Sequence, residues 1–542
     1  MRGPVTEIDE VLIIEIKGFH IRLPEQSIMH EIVTLQFGQQ ANYIGTHYWN
    51  TQESYFTYAG QDESPINHDK SFRPGVGADG SETYSPRTLI YDLKGAFGTL
   101  RRENALYELQ QQEQSVQEGG WSGSTMSLQL PPIAPSGYQQ ALDQGVEPPQ
   151  LTNETVRFWS DYNHLFYHPR SIVQLNEYEL NSSLMPFEKW ATGEELFDNL
   201  DREHDLLDRD LRPFLEECDQ LQALQILTSL DDAWGGFTAK YLERIADDLG
   251  KGCRWVFGSQ DGQRTSREKQ LLQVANSAQS LFAMNDTASM QIPLSSAPRS
   301  LPSYVQMDPA SKWNTSALQA AAFESLTLPT RLRRTEQGHA TFDELETTLS
   351  NEGNRKVGAL GMTVKGTGSS NTNSTLNGTA NGTDDDGESS TYDTDIDLLP
   401  EFSSSSRDAN RRPHRFSAVE SLRGLWKDTE EIHDTNLATR DRRVANLRLR
   451  TSTHQSALLF PILPSYPSIF RFQKREEKLA VKTSLQCSTL VADRMRELER
   501  NARRMLGVEE RETLCDGLAT MAEEYEDGWS DDEDEDEGED SS

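Results

Sequence analysis

Histidine, cysteine and serine side chains most often supply metal-ligand or nucleophilic chemistry, so their spacing is the first feature to consider. The eleven histidines form no HExxH motif and no paired-ligand spacing, and the chain contains no GxSxG nucleophile elbow. Cys218, Cys253, Cys487 and Cys515 are not spaced as CxxC, which argues against a zinc ribbon or a thioredoxin-type site. The sequence therefore predicts no catalytic residue and no metal site.

The charge balance is strongly acidic, because 52 Lys and Arg residues oppose 87 Asp and Glu residues and give a formal net charge of −35. Such a chain repels nucleic-acid backbones, so we expect no direct binding to nucleic acid. No stretch approaches the ~20 apolar residues of a transmembrane segment. The first residues, MRGPVTEIDEVLIIEIKG, carry neither a basic secretory leader nor an acid-poor transit peptide. We therefore expect a soluble or peripheral protein.

Glycine turns follow predicted strands and lead into helices. Residues 30–37 alternate as a strand, Gly38 makes the turn, and residues 39–56 have helical spacing. Further strands are predicted at 88–93, ending on Asp92, at 223–227 and at 254–258, and an amphipathic helix at 238–249. Thr192 and Glu195 have the spacing of a capping box and predict a helix start. This alternation of strands and helices predicts an α/β fold with a parallel sheet covered on both faces.

Two low-complexity tracts interrupt this pattern. Residues 110–150, rich in Gln, Gly, Pro and Ser, predict a flexible insertion, and residues 351–416, rich in Asn, Gly, Ser and Thr, predict a disordered one. The last residues, 526–542, predict an acidic disordered tail. The predicted organisation is an N-terminal extension at 1–28, a first domain at 29–280 and a second domain at 281–525. A helix near 489–506 has one apolar face, which we expect to dock on its own domain.

Three segments, in the same order, resemble tubulins. Residues 29–49 resemble the first strand, the Gly-Gln phosphate loop and the first helix, residues 86–93 a strand ending on aspartate, and residues 206–230 the helix and strand before the glycine-rich signature loop. The sequences of residues 158–172 and 232–251 are more specifically similar to the Misato family. The resemblance covers most of 29–525. It implies a tubulin/FtsZ-like fold with a Rossmann-like N-terminal domain and a second α+β domain, and a natural translation start at Met29.

The resemblance also implies a degenerate GTP-type site. Tubulins hold phosphates with backbone N–H groups of glycine-rich loops and a helix N-terminus, where unpaired donors and the helix dipole stabilise anions. The positions carried over to this chain are Gly38, Gln39, Gln40, Asn42, Asp92, Gly235 and Gly236. The family signature GGGTGSG falls on 231–237, where Asp231, Asp232 and Ala233 replace glycines and Trp234 replaces threonine. Two carboxylates would repel a triphosphate, and the indole would obstruct close backbone approach.

Further departures concern magnesium and hydrolysis. Lys94 stands where the family has an acidic residue, so the magnesium-ligand set is incomplete, although Lys94 could itself contact phosphate. In residues 317–334, which correspond to the hydrolysis loop, Glu324 is the only acidic residue and no Asn-x-Asp pattern occurs. Alternatively, the retained glycines serve only as turns of an α/β sheet. We expect no cofactor: GTP binding is disfavoured, and assembly-coupled hydrolysis is lost.

The functional expectations follow from the Misato resemblance. Members of that family are linked to mitochondrial distribution and inheritance. The resemblance implies a non-catalytic tubulin-like factor in partitioning of the mitochondrial organelle and in mitochondrial DNA inheritance. We expect it in the cytoplasm and at the cytosolic face of the mitochondrion, with protein partners at the mitochondrial surface or cytoskeleton. Two alternatives are a cytoskeletal or tubulin-assembly cofactor and a divergent GTP-binding protein.

Overall fold

The computed structural model describes a defined part of the chain. The described ranges are 30–57, 62–76, 82–100, 133–262, 265–350, 355–366, 394–401, 413–424, 426, 450–472, 477–505 and 508–526, with the backbone of 13–16 and 19–22. The strands are β1 (Ile13–Ile16), β2 (Phe19–Arg22), β3 (His30–Phe37), β4 (Phe72–Val76), β5 (Glu82–Pro86), β6 (Thr88–Lys94), β7 (Ile172–Glu179), β8 (Gln220–Ser229), β9 (Cys253–Gln260), β10 (Met290–Ser295), β11 (Ala359–Gly366), β12 (Ile396–Asp397), β13 (Arg415–Arg423), β14 (Arg450–Ser456), β15 (Phe460–Pro461) and β16 (Lys478–Ser488). The α-helices are α1 (Gln39–Glu53), α2 (Gly137–Asp143), α3 (Trp190–His204), α4 (Arg212–Leu215), α5 (Ala233–Leu249), α6 (Arg267–Ala283), α7 (Lys312–Arg331), α8 (Phe342–Leu349), α9 (Thr489–Met505) and α10 (Val508–Glu523).

The first domain contains a six-stranded sheet in the order β10-β9-β8-β3-β6-β7, and all of its strand pairs are parallel. Its edge strand β10 lies beyond residue 280, so the predicted domain boundary is too early. β3 lies at the centre, and its residues 31–37 are buried. Such continuous burial is what a strand covered on both faces requires. The predicted α/β fold with a parallel sheet is confirmed. β1 and β2, within the predicted N-terminal extension, pair with each other in an antiparallel hairpin.

Helix α7 connects the two domains, and its residues 313–331 are all buried. The second domain contains a mixed sheet in the order β12-β11-β16-β13-β14, in which only the β13–β14 pair is parallel. Helices α9 and α10 pack on each other and against α6 of the first domain. The apolar face of α9 is buried, as its spacing predicted, but part of its contact is with α6 of the first domain and not with its own domain. Among the described helices, none is both long and apolar enough to cross a bilayer.

The predicted flexible insertion at 110–150 is wrong for its C-terminal part. Residues 137–143 form α2, which begins with a capping box between Ser136 and Gln139. Tyr138 is buried, and its hydroxyl lies 2.6 Å from Nε2 of His164. A helix of two turns shows little periodicity of its own, and tertiary contacts stabilise it here. The remaining residues of the predicted insertion, 110–132, lie outside the described residues.

The predicted disordered insertion at 351–416 is also too wide. β11 pairs with β16 over eight residues, from Ala359 to Gly366, and adds a buried strand to the second sheet. β12 follows on the other side of β11, with Ile396 fully buried. β11 and β12 were missed because polar low-complexity residues flank both strands and β12 has only two residues. Residues 367–393 and the tail from 527 onward lie outside the described part of the chain.

The start of α3 was predicted three residues late, because the predicted N-cap is Thr192 and the observed N-cap is Lys189. The helix begins at Trp190 after Lys189, and no side chain caps it. Instead, the Trp190 backbone N–H donates to Oδ1 of Asn276 on α6, at 3.0 Å. A tertiary hydrogen bond therefore satisfies one of the backbone donors that the first turn of a helix leaves unpaired.

Candidate functional site

The turn between β3 and α1 is filled by an indole ring. Gly38 has a φ of +86°, a left-handed conformation that favours glycine, and its N–H donates to the Tyr91 carbonyl at 3.0 Å. A Cβ placed on Gly38 would lie 2.4 Å from Nε1 of Trp234. The Trp234 side chain is only 4% exposed and packs edge-on against Phe187. It therefore occupies the space beside the loop backbone that phosphate oxygens would need.

Asp92 is the centre of a closed hydrogen-bond network. Its Oδ2 accepts from Nε2 of Gln39 at 2.7 Å, from Nδ2 of Asn42 at 2.8 Å and from Nε1 of Trp159 at 3.3 Å. Its Oδ1 accepts from the Leu93 N–H at 2.9 Å. Burial raises the pKa of Asp92 to about 6, although the hydrogen bonds from Asn42, Leu93 and Gln39 oppose this shift. The carboxyl group is thus held by protein donors on both oxygens.

Gln40 connects the same loop to the core helix. Its Nε2 donates to Oε1 of Gln319 at 2.9 Å and to Oγ1 of Thr315 at 3.2 Å. Nε2 of Gln319 then donates to Oγ of Ser259 at 3.0 Å and to the Leu294 carbonyl at 3.2 Å. This chain of contacts joins α1, α7 and the carboxyl ends of β9 and β10, so the Gln40 amide makes tertiary contacts within the protein.

Gly235 and Gly236 lie inside α5 and permit close helix packing. A Cβ on Gly236 would lie 2.0 Å from the Trp190 carbonyl oxygen of α3, and one on Gly235 would lie 2.1 Å from Oγ of Ser280 of α6. Gly193 of α3 meets α5 in the same way, because its Cβ would lie 1.7 Å from the Ala233 oxygen. The structure therefore brings Gly38, Gln39, Gln40, Asn42 and Asp92 together at one loop. It places Gly235 and Gly236 at helix–helix contacts.

Two carboxyl groups occupy the N-terminus of α5. Oδ1 of Asp232 caps the helix by accepting from the Trp234 N–H at 2.9 Å, and Oδ2 of Asp231 accepts from the Asp261 N–H at 2.7 Å. Desolvation raises the pKa of both, and the charge of Asp232 raises that of Asp231 further. These oxygens take backbone donors that would otherwise be available to a phosphate at this helix end. The two carboxyl groups also add negative charge, which would repel a phosphate. Lys94 is exposed.

The segment compared with a hydrolysis loop lies in the buried core helix. Oε1 of Glu324 accepts from Nη2 of Arg331 and from the Tyr55 hydroxyl, each at 3.1 Å, and Oε2 accepts from Nη1 of Arg423. The side chains of Glu324, Arg331 and Arg423 are at most 1% exposed. Glu324 is therefore not available to a neighbouring subunit. No local sequence pattern indicates this ionic cluster, since Arg423 is remote from Glu324 in sequence and belongs to β13.

A cleft of about 1280 Å³ opens beside this loop, at the carboxyl ends of β8, β9 and β10. It was also missed, although carboxyl ends of parallel strands are where ligands bind in α/β sheets. Gln260, the last residue of β9, lines the cleft and is 4% exposed. The strand predicted at 254–258 ended two residues short of it. Within the described residues, no group of three or more His, Cys, Asp or Glu side chains is arranged to hold a metal ion.

Comparison with known proteins defines the family. Residues 30–144 match the Misato Segment II tubulin-like domain, and residues 148–332 match the Tubulin domain. The chain is therefore a tubulin-like protein, and in it the Trp234 side chain fills the turn between β3 and α1. Protein dml1 of Aspergillus clavatus is 47% identical over 511 residues, covering 93% of this chain and 99% of that protein. Protein dml-1 of Neurospora crassa is 45% identical over 535 residues, covering 93% and 98%. Protein dml1 of Schizosaccharomyces pombe is 32% identical over 359 residues, covering 62% and 73%. The chain belongs to the Misato/DML1 family, as the sequence predicted.

Proposed function

We propose that the protein is a non-catalytic tubulin-like factor in the partitioning of mitochondria and in mitochondrial DNA inheritance. The observation that supports the non-catalytic part is the contact between Trp234 and Gly38. The indole ring fills the space beside the loop backbone in which phosphate groups would have to bind. GTP does not fit the residues present, because Asp232 caps the helix that would face its phosphates and Asp92 is enclosed by protein donors. A tubulin-like fold without this nucleotide site acts through its protein-binding surfaces.

The mitochondrial part of the proposal rests on the Misato/DML1 family membership. We place the protein in the cytoplasm and peripherally on the cytosolic face of the mitochondrion, where it binds protein partners of the organelle surface or cytoskeleton. In fractionated cells, a tagged copy should sediment with mitochondria, be released by alkaline carbonate and be digested by protease added to intact organelles. Recovery only in the matrix, or in no mitochondrial fraction, would refute this placement.

The inheritance role is tested by depletion. Loss of the protein should lower the ratio of mitochondrial to nuclear DNA over successive divisions and increase the fraction of daughter cells without mitochondria. Re-expression of the wild-type chain should restore both values. A variant with Gln39→Ala and Asn42→Ala, which removes two polar groups of the loop, should restore both values provided that it folds, because no nucleotide is used. A normal DNA ratio after complete depletion would contradict the proposal.

A second candidate is a tubulin-assembly or cytoskeletal cofactor, and the tubulin-like fold itself favours it. Such a cofactor should co-sediment with microtubules or with unassembled tubulin. A divergent GTP-binding protein is the third candidate, favoured by the retained Gln39, Asn42 and Asp92. Measurable GTP turnover by the purified protein, lost on Gln39→Ala, would favour this third candidate over the first.

A further inference from the structure

Residues 332–341, between α7 and α8, form a segment that contacts both domains, and we call it the connector. At its start, the Arg333 N–H donates to the Pro65 carbonyl of the first domain at 2.9 Å, and Leu332 forms a β-bridge with Ile66. Near its end, Gly338 has a φ of +85°, and a Cβ there would lie 2.4 Å from the Gln455 oxygen of β14 in the second domain. The connector is therefore held between the two domains.

The ammonium group of Lys70 attaches the connector to the end of α7. Lys70 is only 6% exposed, and its Nζ donates to the Thr330 carbonyl at 2.7 Å and to the Leu332 carbonyl at 3.3 Å. The Thr330 carbonyl is one of those that the last turn of a helix leaves unpaired. The third contact of Nζ is with Nε2 of His339, in the connector, at 3.3 Å. Three acceptors thus surround the three donors of one buried ammonium.

The contact between Lys70 and His339 requires a neutral imidazole. An ammonium has donors and no acceptor, so Nε2 of His339 must accept, and the ring proton lies on Nδ1. A proton added to Nε2 would place two donors and two positive charges 3.3 Å apart in a site nearly closed to solvent. His339 is half-buried, so its ring can reach solvent by leaving Lys70. The contact therefore exists with neutral His339 and is lost with the charged form.

The charged groups that face this pair are mainly positive. Those that act on Lys70 or on His339 are Arg331, Arg334, His454 and Glu344. The Glu344 carboxylate favours protonation of His339, but its Oε2 already accepts from the Thr341 N–H at 2.7 Å and caps the start of α8. Burial and the Lys70 charge outweigh it and lower the pKa of His339 to about 4. Burial also lowers the pKa of Lys70 to about 8.

A second imidazole meets a cation of the connector in the same way. Nη2 of Arg334 lies 3.3 Å from Nε2 of His30, the first residue of β3. A guanidinium also has donors only, so His30 accepts as a neutral ring. Burial and the Arg334 charge lower the pKa of His30, with a further contribution from Lys70 and an opposing one from Glu31. Two contacts between a cation and a neutral imidazole thus hold the connector.

We propose that Lys70 and His339 form an acid-sensitive latch, which holds the connector between the domains at neutral pH and releases it as the pH falls. On protonation, the imidazole leaves the ammonium for solvent, and the connector loses its attachment to the end of α7. The contact between Arg334 and His30 weakens in the same direction. The latch is a property of the fold and stands apart from the mitochondrial role proposed above.

The direction of the pH dependence follows from the two states of His339. In the released connector the imidazole has its ordinary pKa of 6.5, and in the held connector its pKa is about 4. The free energy that holds the connector is therefore complete above pH 6.5 and is lost as the pH falls towards 4. Between pH 7 and pH 5 the released fraction should rise about tenfold or more.

Hydrogen exchange of the full-length protein, followed by mass spectrometry, tests the latch. Protection factors of peptides from the connector should fall about tenfold or more between pH 7 and pH 5. In His339→Gln, whose amide oxygen can still accept from Lys70 but takes up no proton, the fall should be about threefold or less. His204→Gln, which changes an exposed histidine on α3, is the matched control and should keep the full fall. Equal falls in wild type and His339→Gln would overturn the proposal.

A Lys70→Met variant separates the latch from a merely structural contact. Removal of the ammonium should lower protection of the connector at pH 7, because the Thr330 carbonyl loses its donor. The further fall on going to pH 5 should shrink to about threefold or less, since His339 then gains its proton without meeting a cation. A full tenfold fall in this variant would overturn the latch. Peptides from β8 report global unfolding, and a parallel loss of protection there in the wild-type protein would also overturn it.

Discussion

At Trp234 an aromatic side chain lies against the backbone of the turn between β3 and α1. The indole contacts Gly38 across the loop, and Asp232 caps the helix from the same turn. Each of these contacts satisfies the protein's own groups, so the loop is stable without an anion. Gln39 and Asn42, which the sequence predicted as part of a degenerate GTP-type site, both donate to Asp92.

The first prediction concerns nucleotide affinity. Calorimetry with GTP and magnesium should detect no site tighter than about 100 μM, roughly −5.5 kcal/mol at 25 °C. Restoring the family signature by Asp231→Gly, Asp232→Gly, Ala233→Gly and Trp234→Thr tests whether these side chains are the block. A micromolar site in the wild-type protein, abolished by Gln39→Ala, would contradict the prediction.

The second prediction concerns pH and Asp231. Desolvation and the Asp232 charge raise the pKa of Asp231 above its ordinary value of 3.8, so the stability that this group contributes is complete below that value and is lost as pH rises. Asp231→Asn keeps an oxygen that can accept from the Asp261 N–H but does not ionise. The free energy of unfolding of the variant, minus that of wild type, should therefore be larger at pH 8 than at pH 5. The increase should exceed about 1.4 kcal/mol, the equivalent of one pKa unit. Chemical denaturation at both pH values measures this. An equal difference for Asp198→Asn, an exposed carboxylate on α3, would show that only overall charge matters.

At the scale of elements, small residues determine how closely α3, α5 and α6 approach. Gly193 and Gly236 face each other's helix backbones, so the α3–α5 contact has no room for a methyl group on either side. Residues 231–237, compared above with a phosphate-binding signature, span the start of α5, and their two glycines permit close helix packing.

The third prediction tests this packing. Gly236→Ala should lower the free energy of unfolding by about 1–3 kcal/mol or more, because the new Cβ meets a backbone oxygen that cannot move away independently. Gly252→Ala is the matched control, since its Cβ would have no atom within 4 Å and should change stability by less than about 1 kcal/mol. Denaturation with urea compares the two variants. A neutral Gly236→Ala would mean that α3 and α5 separate easily.

The sequence predicted the elements whose periodicity is strong and whose partners are near. The strand at 30–37, the Gly38 turn and the parallel sheet follow from alternation and helix spacing, and the structure has them. β11 was lost in low-complexity sequence because its identity depends on pairing with β16, more than 100 residues later. The sequence predicted that Trp234 obstructs the loop. Its contact with Gly38 could not be predicted, because it depends on how α5 packs. The Gln260 cleft requires both domains, so no local pattern could have indicated it.

At the scale of the whole molecule, one buried ionic cluster joins the domains. Arg423 of β13 contacts Glu324 of α7, and its Nη2 donates to the Tyr55 hydroxyl, just beyond α1, at 2.6 Å. Arg331 completes the cluster from the last turn of α7. Two guanidinium groups therefore share one carboxylate in a site excluded from water. Such a cluster specifies a geometry, because its charges are tolerated only when they are paired.

The fourth prediction follows from that pairing. Glu324→Gln leaves Arg331 and Arg423 buried without their counter-charge, so the free energy of unfolding should fall by about 3–5 kcal/mol. Glu217→Gln removes one partner of a surface pair with Arg73, at 2.6 Å, and should lower it by no more than about 1 kcal/mol. Thermal and urea denaturation measure both variants. Adding Arg423→Met to Glu324→Gln should recover part of the loss, since one uncompensated charge is removed and the methionine can pack beside Phe460, whose ring lies 5.5 Å from the guanidinium carbon. A Glu324→Gln variant as stable as Glu217→Gln would show that water reaches the cluster, and that α7 and β13 are held together by apolar packing alone.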